Sequence, residues 1–298
     1  MKAIIVPIVK NFPLKVHCWG GLGSQLLALN YYLGLTKKYP KRKIVLVLHN
    51  GGITNRPSEI SFLSTKIFLH TVEDFYENAK LVNKSIDFKP VRKNRFSFKL
   101  IVKYLLNLLR IVITDDSKVL NVKFWTLAVR STYILNPLRM DDIARLSKVL
   151  EILVTGSQQN SVGIHYRLGD LPDLKPESLI STKAISVIVN DLCGSNSKIN
   201  AVAVYSDSRS DGIFFDVPRS VQVNWYSVDA IQTIKSLMSY DYFIGTSSKV
   251  SLWVAIFRWG LDIKGEVFLP KAMMDHFINL TRYKTSDSKN FILKTYWN

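Results

Sequence analysis

Cysteine and acidic charge are scarce in this sequence, and each shortage excludes a class of protein. Two cysteines in 298 residues, Cys18 and Cys193, cannot build a disulfide framework, and they lack the spacing of a metal site. No run of about 18 apolar residues occurs, so we expect no membrane-spanning helix. The opening residues Met1–Pro7 are too short and too soon broken for a secretory signal, which predicts a cytoplasmic location.

Basic residues far outnumber acidic ones. The chain has 40 Lys and Arg against 23 Asp and Glu, a formal net charge of +17. Such an excess attracts polyanions, including nucleic acid, anionic lipid surfaces and phosphorylated ligands. No zinc finger, RRM-like aromatic motif or clear helix-turn-helix occurs, which argues against nucleic acid. Residues 92–113 predict a basic amphipathic helix, which fits either the surface of a domain or an anionic membrane face.

Alternating strands and helices predict an α/β protein in two halves. A βαβ unit over residues 14–48 contains a glycine turn. After a junction near 155–157, the alternation restarts and predicts a parallel sheet with helices on both faces. The predicted domains are 1–153 and 154–298, and the last helix could pack back on the first. The predicted strands are 2–9, 14–18, 44–48, 161–166, 201–205, 242–244 and 266–269; the predicted helices are 24–38, 139–153, 180–192, 230–238 and 250–257.

The first polar motif is the glycine turn at residues 19–26, WGGLGSQL. Glycines between a strand and a helix let a ligand approach the backbone, where the helix N-terminus offers free N–H groups. Gly21 and Gly23 match two positions of the dinucleotide fingerprint G-x-G-x-x-G, but a leucine takes the third, and no P-loop lysine follows. Ser24 and Gln25 are the polar side chains of this segment. A tight structural turn is the alternative.

The second motif, VGIHYRLGD at residues 162–170, places polar side chains at the carboxyl end of a strand, where open α/β sheets bind ligands. The planar fork of Arg167 suits a diphosphate. Asp170 could hold Arg167 in place, bind a sugar hydroxyl or accept a proton, and Asp173 is the second candidate base. A surface Arg–Asp pair is the plain alternative.

The third motif is a group of hydroxyls where a buried strand runs into a helix: Thr246, Ser247, Ser248 and Ser251. One cap residue would suffice for that helix, so the remaining hydroxyls could grip phosphate oxygens together with free N–H groups. Upstream, Ser206 and Asp207 follow another strand and are placed to contact a base or ribose. An Asx turn explains that pair equally well.

In this order, the motifs resemble those of glycosyltransferase family 11, the α-1,2-fucosyltransferases. Residues 20–26 resemble the family's G-G-L-G-N-Q-L, and residues 165–170 resemble the H-x-R-R-G-D motif of α-1,2-, α-1,6- and protein O-fucosyltransferases. Ser206 and Asp207 resemble the S-D of these enzymes, and residues 238–253 resemble the M-S-x-C…N-S-T-F-S-W-W block. The chain departs from the family at Leu168, which replaces the second arginine, and at Ser24, which replaces the asparagine.

The resemblance implies a GT-B-like fold, with two Rossmann-like domains and a cleft between them, and an inverting transferase that needs neither metal nor cofactor. The absence of Asp-x-Asp agrees with metal-free chemistry, in which cations and helix N-termini stabilise the leaving diphosphate. The roles implied for single residues are a diphosphate contact for Arg167, nucleotide-sugar contacts for Ser247, Ser248 and Ser251, a cleft lining for Gly21 and Gly23, and shaping of the donor pocket for His165.

We therefore expect fucose transfer from GDP-fucose to a bacterial surface polysaccharide, such as O-antigen or capsule, with a lipid diphosphate as the candidate carrier. The protein would lie on the inner face of the cytoplasmic membrane through residues 92–113, and no nucleic-acid partner is expected. Three alternatives stay open: another nucleotide sugar, a catalytically inactive nucleotide-binding relative, and a basic nucleic-acid-binding α/β protein.

Overall fold

The computed structural model describes residues 14–18, 21–41, 44–48, 59–60, 63, 69–70, 127–130, 137–152, 158–169, 176–208, 213–284, 288 and 290–297. The predicted strand 2–9, the predicted helix 92–113, Asp170 and Asp173 lie outside the described residues. The chain forms two compact units, Met1–Leu135 and Asn136–Asn298. Among the described residues, no helix is long and apolar enough to cross a membrane.

The first unit contains a parallel four-stranded sheet in the order β3-β2-β1-β4. Its described elements are β1 (Leu14–Cys18), α1 (Leu22–Lys38), β2 (Ile44–Leu48), β3 (Leu69–His70) and β4 (Leu127–Arg130). Helix α1 begins two residues earlier than predicted, so Gly21 is the N-cap and Gly23 lies inside the helix instead of in the turn. The predicted βαβ unit at residues 14–48 is confirmed.

The second unit contains a parallel six-stranded sheet with helices on both faces. Its elements are α2 (Met140–Leu150), β5 (Gln158–His165), a 3₁₀ turn (Pro176–Ser178), α3 (Thr182–Ser195), β6 (Ala201–Tyr205), β7 (Gln222–Tyr226), α4 (Ala230–Leu237), β8 (Tyr240–Gly245), α5 (Lys249–Gly260), β9 (Gly265–Pro270), α6 (Lys271–Thr281) and β10 (Phe291–Tyr296). The predicted α/β class is confirmed. The cleft predicted between the units stays a prediction.

The strand order of this sheet is that of the doubly wound nucleotide-binding fold. Its strands lie in the order β7-β6-β5-β8-β9-β10, and every pair is parallel. Counted from β5, this order is 3-2-1-4-5-6, so the chain changes direction across the sheet between β5 and β8. Ligands of open α/β sheets bind outside the carboxyl ends of the strands at such a switch point. The topology therefore predicts a ligand site at the residues that follow β5 and β8.

Alternate residues of β5 face the two helical layers. Val162 and Ile164 are fully buried in one apolar cluster with side chains of α3. Gly163 faces the other layer, where a Cβ atom would press on Leu237 and on the ring of Tyr240. Period-two alternation is the expected pattern for a strand covered on both faces.

Helix α5 is the centre of the second helical layer. Helices α2, α4 and α6 all pack on it, and every residue from Ser251 to Gly260 is buried. Because α2 packs on α5, it belongs to the second unit, and the units divide between Leu135 and Asn136 instead of at the predicted 153/154. The last helix, α6, packs on α5, β9 and β10 of its own unit.

The packing of α2 on α5 depends on Gly260. A Cβ atom there would collide with the side chain of Ile143, which is itself fully buried. We expect Gly260→Ala to lower the free energy of unfolding by roughly 1–3 kcal/mol, the usual cost of overpacking. The matched control is Gly194→Ala in α3, where an added Cβ meets nothing within 4 Å and alanine should stabilise by about 0.5–1 kcal/mol. Urea unfolding of both variants measures the difference, and equal effects would contradict this account of the α2–α5 contact.

Candidate functional site

Two of the three sequence motifs meet at the switch point. Strands β5 and β8 are neighbours, and His165 pairs with Gly245 at their carboxyl ends. Just beyond, the backbone N–H of Arg167 donates to the hydroxyl of Thr246 at 3.2 Å. The arginine of the second motif and the hydroxyls of the third therefore lie side by side at the edge where the fold binds ligands.

His165 is a buried, neutral side chain. Its Nδ1 lies 2.7 Å from the hydroxyl oxygen of Ser251. Burial, and then the positive charge of Arg167, lower the pKa of the imidazole from 6.5 to about 3. At neutral pH the ring is therefore uncharged.

The depressed pKa of His165 predicts a loss of stability in mild acid. Between pH 6.5 and about 3 the unfolded chain protonates this histidine and the folded chain does not, so the free energy of unfolding falls as pH falls through that range. Urea unfolding at pH 7 and pH 4.5 should show a smaller acid loss for His165→Asn than for the unchanged protein. The exposed histidine variant His276→Asn is the control, and an equal acid loss in all three proteins would contradict the prediction.

The hydroxyls of the third motif divide into two groups. Three of them are engaged inside the chain: Thr246 donates to the carbonyl of His165 at 2.9 Å, Ser251 accepts from the N–H of Thr246 at 3.0 Å, and Ser248 caps α5 by accepting from the N–H of Val250 at 3.1 Å. Ser247 is half-buried, and no hydrogen bond of its hydroxyl occurs within the described residues. Ser247 is therefore the hydroxyl best placed for an external ligand.

The described residues that follow β5, 166–169, contain one cation, Arg167. Arg167 is half-buried, and its guanidinium lies near enough to His165 to help lower the pKa of that residue. Leu168, where the resembling family has a second arginine, is buried in the apolar cluster beneath α3. The apolar side chain at this position therefore contributes to the core of the unit, and Arg167 carries the positive charge of the segment.

Asp207 supports the segment that carries Arg167. Its carboxylate accepts from the N–H of Leu168 at 3.0 Å, and the hydroxyl of Ser208 accepts from the N–H of Gly169 at 3.2 Å. Gly169 has φ +31, and a Cβ atom there would collide with the carboxylate of Asp207. Ser206 closes a turn by donating to the carbonyl of Ser208 at 2.6 Å. This is a serine turn and not the Asx turn that was left open as an alternative, because the described contact of the Asp207 carboxylate is with Leu168, which ties the end of β6 to the loop after β5.

In the first unit, the glycine turn already has an anion at its helix N-terminus. The carboxylate of Glu59 accepts from the N–H of Leu22 at 3.0 Å. The side-chain oxygen of Gln25 accepts from the N–H groups of Glu59 and Ile60 at 2.9 and 3.2 Å. Ser24 donates its backbone N–H to the carbonyl of Gly21 at 2.9 Å. A carboxylate at this position satisfies part of the helix N-terminus that a phosphate would otherwise use.

Sequence analysis missed Tyr296, which supports the site from two strands away. This buried residue ends β10 and donates its hydroxyl to the carbonyl of Gly245 at 2.6 Å. Burial raises the pKa of Tyr296, so the hydroxyl stays a donor. No local pattern could have revealed the contact, because the two residues are 51 positions apart in the chain.

Comparison with known proteins finds distant structural likeness. No protein-family model matches the chain, and no curated protein sequence matches it. Among solved structures, the E. coli heptosyltransferase WaaC with ADP has 10% identity and a TM-score of 0.41, over 95% of this chain and 93% of that one. The E. coli ADP-heptose LPS heptosyltransferase II has 9% identity and a TM-score of 0.41, over 95% and 90%. Arabidopsis thaliana FUT1 in complex with GDP has 10% identity and a TM-score of 0.40, over 92% and 76%. Likeness this distant assigns no residue of this chain a role.

Proposed function

We propose that this chain is a glycosyltransferase that holds the diphosphate of a nucleotide sugar at the carboxyl ends of β5 and β8. One observation carries the proposal: Arg167 and the start of α5 lie side by side at the switch point of a 3-2-1-4-5-6 sheet, joined by the bond between Arg167 and Thr246. An arginine fork and a helix N-terminus are two standard ways of binding a diphosphate. Ser247 supplies a third donor beside them.

The reaction that suits this arrangement is direct displacement with inversion. An acceptor hydroxyl oxygen forms a bond to the anomeric carbon while the bond from that carbon to the diphosphate oxygen breaks. The electron pair leaves with the nucleoside diphosphate, where Arg167 and the N-terminus of α5 stabilise the developing charge. The hydroxyl proton passes to a base, for which the sequence offers Asp170. Because the sequence contains no Asp-x-Asp, we propose a metal-independent enzyme.

The sequence motifs support GDP-fucose as the leading donor and a bacterial surface glycan as acceptor. We propose that the first unit binds the acceptor. The net charge of +17 favours attachment to an anionic membrane face, where lipid-diphosphate-linked glycans are built, with residues 92–113 as the contact. On this proposal the protein acts at the cytoplasmic face of the membrane.

The donor is identified by a thermal-shift panel of GDP, UDP, ADP, CDP, CMP and their common sugar conjugates. A ligand at about 100 times its dissociation constant stabilises the folded chain by roughly 2.7 kcal/mol. Selective stabilisation by one nucleotide supports the proposal and names its base. Transfer of radiolabelled sugar from that donor to an isolated glycan lipid then tests the enzyme.

The net charge also favours a nucleic-acid-binding protein, and the same panel separates the two functions. A nucleic-acid binder would show affinity for RNA or DNA that falls steeply with salt, and no response to any nucleotide sugar. A protein that binds the nucleotide and hydrolyses or transfers nothing would instead be an inactive relative. If another sugar nucleotide stabilises the chain, that compound replaces GDP-fucose as the proposed donor. The proposed binding site stays the same.

A further inference from the structure

Thr246 is the central residue of a buried polar network at the switch point. It is 1% exposed. Its hydroxyl donates to the carbonyl of His165 at 2.9 Å and accepts from the N–H of Arg167 at 3.2 Å. The Thr246 side chain, which directly follows β8, therefore holds the backbone of the neighbouring segment at His165 and at Arg167, on both sides of Tyr166.

A second pair of side chains fixes Thr246 in turn. The N–H of Thr246 donates to the hydroxyl oxygen of Ser251, which lies in the first turn of α5. The same hydroxyl forms a hydrogen bond with Nδ1 of His165 at 2.7 Å. The tautomer of the neutral imidazole sets which of these two groups donates, and the bond joins β5 to α5 in either case. These hydrogen bonds join three elements: His165 at the end of β5 bonds to Ser251 of α5, Ser251 bonds to Thr246 after β8, and Thr246 bonds back to His165.

We propose that Thr246 is a positioning residue, which sets the separation between the Arg167 cation and the hydroxyl of Ser247, and that His165 and Ser251 hold it in place. The inference rests on the proposed nucleotide site. A preorganised site needs its donors fixed before the ligand arrives, and a shift of about 1 Å in such a group lowers binding or turnover sharply. None of the three network residues needs to touch the ligand for the effect to occur.

The test compares Thr246→Val, which removes the hydroxyl and keeps the branched shape, with Thr246→Ser, which keeps the hydroxyl. Calorimetric titration with GDP, well below the unfolding temperature of each variant, measures affinity. We expect Thr246→Val to bind GDP roughly tenfold more weakly, the equivalent of about 1.4 kcal/mol, and Thr246→Ser to retain most of the affinity. Should Thr246→Val fail to unfold cooperatively, Ser251→Ala removes the lock and carries the same test.

A double-mutant cycle with Arg167→Ala separates positioning from direct contact. If Thr246 acts through Arg167, the loss caused by Thr246→Val disappears once Arg167 is alanine. Losses that add would show that Thr246 does not act through Arg167, and unchanged affinity in Thr246→Val would show that the network does not matter; either result overturns the inference. If the unchanged protein binds no nucleoside diphosphate, the proposed function itself fails, and that failure is visible before any variant is made.

Discussion

Arg167→Ala should lower the affinity for the nucleoside diphosphate by roughly 100-fold and abolish sugar transfer. An arginine makes paired, charge-assisted hydrogen bonds to phosphate that together contribute about 3 kcal/mol. The folded structure should persist, because the bond to Thr246 uses the backbone N–H of Arg167, which alanine retains. Calorimetric titration measures the affinity, and thermal unfolding without ligand measures the fold.

The matched control for this experiment is Arg219→Ala. Arg219 is exposed in the turn that precedes β7, so it lies toward the amino edge of the parallel sheet, opposite the proposed site. Both variants remove one positive charge from the same unit, and a general electrostatic attraction for phosphate would weaken equally in the two. We expect Arg219→Ala to bind as the unchanged protein does. Near-normal affinity or turnover in Arg167→Ala would overturn the diphosphate site.

The part of the fold that sequence predicts is the part with strong apolar patterning. Strands β5, β6 and β8 each contain a buried run of residues, so their positions follow from the sequence within a few residues. Strand β7 was missed because it lies at the edge of the sheet and none of its five residues is buried, so it has no run of apolar core residues. Helix α6 was missed because only Phe277 and Thr281 are buried along it. Strand β10 forms the other edge and is equally mixed.

The location of the candidate site also follows from the sequence. Which of its hydroxyls bond within the chain, and which is available to a ligand, does not. Polar residues after buried parallel strands must meet at the carboxyl edge, which brings Arg167 and Ser247 together. Which hydroxyl stays available depends on pairings across the chain, such as His165 with Ser251, 86 positions apart. Those pairings are set by strand register and by the pitch of α5, which local sequence patterns do not encode.

Arg258, in the core, also makes contacts that local sequence patterns do not predict. It lies in an otherwise apolar stretch of α5, and the structure buries it completely. Its guanidinium donates to the carbonyls of Tyr240 at 2.6 Å and Leu237 at 3.1 Å, and to those of Asp241 and Lys264 at 3.4 Å each. These carbonyls belong to the end of α4, the start of β8 and the approach to β9, so one side chain satisfies three junctions.

The geometry around Arg258 is built for a cation. Burial lowers its pKa to about 10, against the opposing effect of Asp241, so the group stays charged at neutral pH. Gly265 makes room for it: a Cβ atom there would lie 2.6 Å from Nη2, and φ +139 at that position also favours glycine. Backbone carbonyls that accept from a buried cation lose those hydrogen bonds if the cation is removed.

We therefore expect Arg258→Leu to lower the free energy of unfolding by roughly 3–5 kcal/mol, since it leaves several buried carbonyls unsatisfied while filling most of the space. The control is Arg145→Leu, which breaks a half-exposed ion pair with Asp142 and should cost less than about 1 kcal/mol. Urea unfolding of both variants decides the matter. If Arg258→Leu were as stable as Arg145→Leu, the junctions between α4, β8 and β9 would have to be held by apolar packing alone, because leucine offers those carbonyls no donor.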